Sequence, residues 1–218
     1  MNPKKRKINK MILLISGLFV LLACRFSPNP RTSGDVLFAD DFSISNQNWD
    51  TWNTPGISAV SFLDEGLIMI VYKPNLDVIT TNHLFYQNVS IKTLVRKRFG
   101  SNDNAFGIVC RYLNDKNYYG FLISSDGYYG IVKVINGEYT LLSSENMEYD
   151  ESINKDKEEN WLHAVCEETT LTLFINGEEK TSVVDSDLKT GKTGLITGSF
   201  TGSKETAVFF DDFVVAVP

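Results

Sequence analysis

Turn signals recur at short intervals along this chain, and they leave room for little except antiparallel sheets. After residue 35, apolar and polar residues alternate in short runs rich in Val, Ile, Thr, Tyr and Phe, broken by Gly-containing turns. Asp64-Glu65-Gly66 separates SAVSFL from LIMIVY, residues 114–117 separate FGIVCRYL from YYGFLIS, and Asp126-Gly127 separates that run from YYGIVKV. Asn136-Gly137 and Asn176-Gly177 follow, each between extended runs. Both residues of such a two-residue turn take positive φ, which Asn and Gly tolerate. About a dozen strands joined this way must close into a barrel or stack face to face, and we read an all-β, two-sheet antiparallel sandwich. Residues 43–57, 73–87, 143–160 and 199–205 lack a clear period and are expected as loops at its rims.

The start of the chain reads differently. Lys4, Lys5, Arg6, Lys7 and Lys10 precede an apolar stretch, residues 11–23, broken only by Ser16 and Gly17. That is a basic n-region followed by an h-region. A helix of about 13 residues reaches some 20 Å, short of the roughly 30 Å hydrocarbon core. Residues 1–23 are therefore expected to be a helical signal peptide that is removed. The stretch ends Leu21-Leu22-Ala23-Cys24, which resembles the lipobox of bacterial lipoproteins. The resemblance implies acylation of the Cys24 thiol by diacylglycerol, cleavage before it, and usually a third chain, palmitate-like, on the new amino terminus. One acyl chain holds a protein marginally, whereas two or more hold it durably. Two other readings stay open: a secretory signal with a chance Cys, or an uncleaved apolar anchor. Residues 24–34 then form a tether and 35–218 one domain, extracytoplasmic and held on a bacterial membrane, at the cell surface or periplasmic face.

The formal net charge is −6, and loss of the basic leader makes the remainder more acidic. Such a surface repels phosphate backbones, so nucleic acid is not an expected partner. The expected partners are the membrane, through the anchor, and a glycan, with the protein a monomer.

Three blocks together resemble the concanavalin A-like lectin/glucanase jelly roll, shared by laminin G-like modules, laminarinase-type hydrolases and the 3-keto-disaccharide hydrolase-type domain. They are LFADDFS with Trp49 downstream, the run FGIVCRYLNDKNYYGFLISSDGYYGIVKVINGEYTLL, and LTLFINGEEKTSVVDSDLKTGKTGLITGSF closing with VFFDDFVVAVP. The resemblance implies two antiparallel sheets of about six or seven strands, one convex and one concave, with neighbouring terminal strands. It does not imply one activity, because the fold hosts binders, enzymes and structural modules alike.

Laminarinase-type enzymes carry Glu, Asp and Glu at i, i+2 and i+4, on one face of a strand. The nearest match here, Glu148-Tyr149-Asp150-Glu151, puts its last Glu at i+3 inside a charged stretch that reads as a solvated loop. His83 and His163 lack metal-ligand spacing, and no nucleophile elbow or phosphate-cradling loop occurs. We therefore expect noncatalytic binding of a glycan or other surface component. The alternatives are a sugar-processing enzyme of the same superfamily and a protein-binding structural module.

Sugar rings stack their CH faces on aromatics while polar groups bond their hydroxyls. Candidates for such a groove are Trp49, Trp52, Arg96, Arg98, Arg111, Tyr119 and Tyr128, and one Tyr of each pair, Tyr118-Tyr119 and Tyr128-Tyr129, must face the core. Packing within the core or on a sheet surface is the other reading of each. If the terminal strands are neighbours, Asp41, Asp211 and Asp212 converge, and a structural Ca²⁺ would relieve their repulsion. Alternatively one Asp of each pair faces solvent and the other bonds turn amides. Cys110 and Cys166 form an even pair in an exported chain, and related sandwiches often place Cys in both strands. A disulfide is expected, with its strands side by side; buried reduced thiols are the other state open to them.

Overall fold

The computed structural model describes residues 31–64, 66–200 and 205–218. The leader, Cys24 and most of the expected tether lie outside them. Sixteen strands follow in order: β1 Val36–Asp40, β2 Trp52–Thr54, β3 Ser58–Leu63, β4 Gly66–Val71, β5 Leu76–Tyr86 and β6 Val89–Gly100. Next come β7 Asn104–Asn114, β8 Asn117–Ile123, β9 Tyr128–Ile135, β10 Glu138–Leu141 and β11 Glu148–Tyr149. The last are β12 Asn160–Glu167, β13 Thr170–Ile175, β14 Glu178–Val184, β15 Gly191–Ser199 and β16 Thr206–Ala216.

They make two antiparallel sheets. The nine-stranded sheet runs β14-β13-β12-β6-β16-β4-β3-β2 with β1 also on β16, and the seven-stranded sheet runs β10-β9-β8-β7-β15-β5 with β11 on β9. The sandwich is the expected one, one sheet with seven strands as expected and the other with nine. The terminal strands are neighbours: β1 pairs with β16, and the Gly34 and Val217 backbones bond at 2.9 Å. The Asn-Gly turns form as the sequence requires, Asn136-Gly137 at φ 54° and 85°, Asn176-Gly177 at 52° and 88°.

Two expected loops are corrected. Residues 73–87 hold β5, an eleven-residue strand laddered on β15. Its period is hidden because the register slips between Lys192 and Gly194 and His83 turns to φ 64°. Short β2 lies within 43–57.

Alternate residues of both sheets meet in one core. Ile91, Leu162, Leu171 and Phe210 come from one sheet and Ile108, Phe121, Ile131 and Leu195 from the other, all fully buried. Each such side chain contributes about 1.5–3 kcal/mol relative to exposure. Cys110 of β7 and Cys166 of β12 are disulfide-bonded, with Cα atoms 6.9 Å apart. Their strands are not side by side, as the sequence reading expected, but in opposite sheets, so the bridge crosses the core.

Candidate functional site

On β7, β8, β9 and β15, every second residue turns away from the core, and these outward positions alternate glycine with an apolar side chain. One row across the strands reads Ile79, Ile196, Gly107, Leu122, Gly130, and the next Gly194, Val109, Gly120, Val132, Leu141. Glycine beside each larger residue lets it lie low, and the side chains shield one another. Val109, Ile196, Leu122 and Val132 belong to a second apolar cluster, separate from the inter-sheet core, and all are buried. The outer face of the seven-stranded sheet is thus an apolar floor whose central side chains are buried, with the half-buried Ile79, Tyr112, Leu141 and Met147 packed against them.

Asp77 of β5 stands at its edge. It pairs across the ladder with Gly198, and a Cβ on Gly198 would overlap Asp77 Oδ1, so the carboxylate lies over bare backbone. Asp77 is exposed by accessible area, yet the protein around it still costs the ionised form solvation and pushes its carboxyl up to about 6. No described residue donates a hydrogen bond to it.

Tyrosines frame the floor. Tyr118 and Tyr139 share a 2.7 Å hydroxyl contact, and Tyr112 donates to Asp115 at 2.6 Å. At the other end Tyr128 and Tyr149, both exposed, meet edge to face with centroids 5.5 Å apart. Burial raises the Tyr112 and Tyr118 hydroxyls well above the usual phenol range, so both remain neutral donors. The pairing rule holds: Tyr118 and Tyr128 face outward, while Tyr119 and Tyr129 point into the core.

The other sequence candidates are dispersed. Trp49 is buried, its Nε1 donating to Asp40 Oδ2 at 3.0 Å and its ring edge-on to Phe213. Trp52 is half-buried on β2, bonded to Ser58 Oγ. Arg111 is 2% exposed and donates to the Gln87, Leu188 and Glu168 carbonyls, while the Tyr119 hydroxyl donates to Asp185 and accepts from the Leu188 amide. Trp49, Arg111 and Tyr119 therefore hold the fold and line no groove. Glu148 accepts from Tyr129 and Asp150 from Lys180, so the nearest match to a catalytic triplet is engaged in holding its own loop.

Arg96 and Arg98 lie on the outer face of the nine-stranded sheet. Arg96 covers the Phe209 ring at 4.8 Å and approaches Glu159 at 3.8 Å, and Arg98 pairs with Asp64 at 3.1 Å. Asp41, Asp211 and Asp212 do converge here, on an open cavity of about 290 Å³ that Arg96 also lines. Burial, and then neighbouring carboxylates, raise Asp211, whereas the Ser43 hydroxyl and amide lower Asp41. Among the described residues, no three His, Cys, Asp or Glu are grouped to hold a metal ion.

A surface cavity of about 710 Å³ is on the same sheet, lined by Lys92, Trp161 and His163 among others. Its amides are already engaged: Asn176 bonds Ser152 and Asn160, and Asn154 bonds Glu159. His163 is tied to Ser90 and stacked on Phe174. The seven-stranded face, whose carboxylate is uncommitted, is the better candidate.

No family model and no curated protein sequence matches the chain. Solved structures do match its fold. A carbohydrate binding module, CBM66, from Bacillus subtilis is similar at TM-score 0.62 and 16% identity, over 86% of this chain and 99% of that one. A β-glucanase from Bacillus licheniformis is similar at TM-score 0.61 and 10% identity, over 86% and 100%. The GH43 protein BlXynB from Bacillus licheniformis is similar at TM-score 0.63 and 15% identity, but the match, over 87% of this chain, covers only 41% of that one. All share the concanavalin A-like jelly roll that the sequence blocks resemble. What the likeness shows is the fold.

Proposed function

We propose that this protein is exported, held to a membrane by lipid on Cys24, and binds a glycan without cleaving it on the outer face of its seven-stranded sheet. The observation that carries the reading is Asp77, an uncommitted carboxylate at the edge of an apolar floor framed by tyrosines. A sugar ring offers an apolar face to exposed rings such as Tyr128, Tyr139 and Tyr149, and hydroxyl donors to such a carboxylate. The fold likeness to a carbohydrate binding module and to a β-glucanase supports the same ligand class.

Glycoside hydrolysis needs two carboxyls, about 5–5.5 Å apart for retention or 6.5–9.5 Å for inversion. The central strands β15, β7 and β8 present Gly194, Ile196, Gly198, Ala105, Gly107, Val109, Tyr118, Gly120 and Leu122 to this face, with no carboxylate among them. Those strands thus offer Asp77 no second acid, which supports binding over cleavage.

A glycan-array screen of the soluble domain, with reducing-sugar release assayed on every hit, tests the reading. Binding that Asp77→Ala abolishes, without sugar release, is the expected result. Release that depends on Asp77 would make the protein a sugar-processing enzyme instead.

A further inference from the structure

We propose that the rim where the domain leaves its tether rests on the lipid surface, with Leu84 and Phe85 entering the interface. The proposal depends on the lipid anchor at Cys24. It begins from where the described chain starts. The Gly34 amide bonds to Val217, Val36 pairs with Ala216, and Ala216 pairs with Ser90, just past the β5–β6 connection. Arg31 lies close enough to Tyr86 for its charge to act on that hydroxyl. Between Cys24 and Arg31 the chain can span at most about 25 Å. The lipid must lie within that reach of Arg31, which is near the end of β5.

That end is apolar and uncovered. Leu84 is 46% and Phe85 63% exposed, and Leu113, at the same rim, is 49% exposed. Lys192 pairs with both Phe85 and Tyr112, which sets the ends of β5 and β7 two strands apart on one edge. The bulge at His83, φ 64°, turns the tip from the regular ladder. None of the three apolar side chains belongs to either core cluster. The rim carries Arg31, Lys116, Lys133, Lys189 and Lys192 alongside Asp35, Asp115, Glu138, Glu167, Glu168, Asp185 and Asp187, so acids outnumber bases. Charge gives the rim no pull toward anionic headgroups, and the match is to the apolar part of the interface.

The geometry has a consequence for the glycan face. From Phe85 back to Asp77, β5 extends eight residues, or about 26 Å at the usual strand rise. Docking by the Phe85 end holds the Asp77 end outward, toward ligand arriving from solution.

The test uses the full-length protein, its acylation verified by mass spectrometry, in phosphatidylethanolamine/phosphatidylglycerol vesicles. Phe85→Cys and Asp126→Cys, the latter on the opposite rim, each carry an environment-sensitive fluorophore, with Leu113→Cys as a second reporter should the first variant misfold. Blue-shifted emission at 85 and 113, quenched by nitroxide lipids, with neither effect at 126, is expected. Acylated protein whose labels at 85 and 113 stay in water overturns the docking alone. A blue shift that nitroxide lipids do not quench assigns the tip to a protein contact and also overturns it. Protein without an acyl chain at Cys24 overturns the anchor and the docking together.

Discussion

Cys110 and Cys166 join the two sheets through the core, with Cα atoms 6.9 Å apart and a sequence separation of 56. The bridge ties β7, which lines the candidate glycan face, to β12 in the opposite sheet. Closing a loop of this length contributes roughly 4 kcal/mol by restricting the unfolded chain. The Cys110→Ala/Cys166→Ala protein should lose about that much in urea unfolding, with the seven-stranded face still binding ligand. Two free thiols in the denatured, unreduced domain would remove the basis for the expectation.

Arg111 sits at φ 49° within a bulge of β7, and its guanidinium reaches three carbonyls in three separate connections: Gln87 at 3.4 Å, Leu188 at 2.8 Å and Glu168 at 2.7 Å. A lysine has no planar fork to span them, and any carbonyl left dry costs its desolvation. Arg111→Lys should therefore destabilise the domain by about 2–4 kcal/mol, far more than Arg98→Lys on the surface. Melting temperatures of the two variants make the comparison. Equal losses would mean that the carbonyls find other donors.

His163 of β12 is held neutral by burial and by nearby Lys92, its imidazole pushed down to about 4. The folded state therefore resists protonation that the unfolded chain accepts near 6.5. Stability from this group is present above that value and is lost as pH falls from about 6.5 toward 4. The loss should be of order 1–2 kcal/mol once partial exposure is allowed for. His163→Gln, which can still bond Ser90, should flatten that part of the stability profile. A parent and variant with identical profiles would show that the ring titrates normally.

How much of this could be read beforehand depends on whether a residue's role is written locally. Asn136-Gly137 and Asn176-Gly177 dictate their own turns, so the hairpins were legible. Alternation requires one core member in each of Tyr118-Tyr119 and Tyr128-Tyr129 but does not say which, and of the two expected in the groove Tyr128 faces outward while Tyr119 is the core member. Asp77 was not, because its strand has its period broken by the His83 bulge and is held in place by β15, more than a hundred residues away. Glycine in a strand carries no facing signal of its own, and only the register shows that those at 107, 120, 130, 194 and 198 share one face. Trp49 and Arg111 matched the chemistry of a sugar site, yet the bonds that bury them come from Asp40 nearby and from carbonyls that no local pattern brings together.

Asp77 supplies the prediction that bears most directly on function. Its folded carboxyl titrates near 6, against 3.8 for an unperturbed aspartate. An acid with a raised folded value is bound by its proton more tightly in the native state, so this group favours folding as pH falls from about 6 to 4 and disfavours it above. Asp77→Asn should then stabilise the domain slightly at neutral pH, by no more than about 1 kcal/mol because solvent reaches the group. That trend opposes the one from His163 over nearly the same range, so the parent's profile alone cannot separate them and both single variants are needed. Ligand binding provides the sharper measurement. A sugar hydroxyl donates more strongly to the ionised carboxylate than to the acid, so affinity for any glycan hit should fall as pH drops through 6. Asn at position 77 keeps an acceptor of similar shape but no charge, and should bind more weakly at pH 7.5 with no pH dependence across that interval. Calorimetry at pH 7.5 and 5 on both proteins gives all four values. Parallel losses in parent and variant between the two pH values would mean that another group senses the proton, and would move the glycan contact away from Asp77.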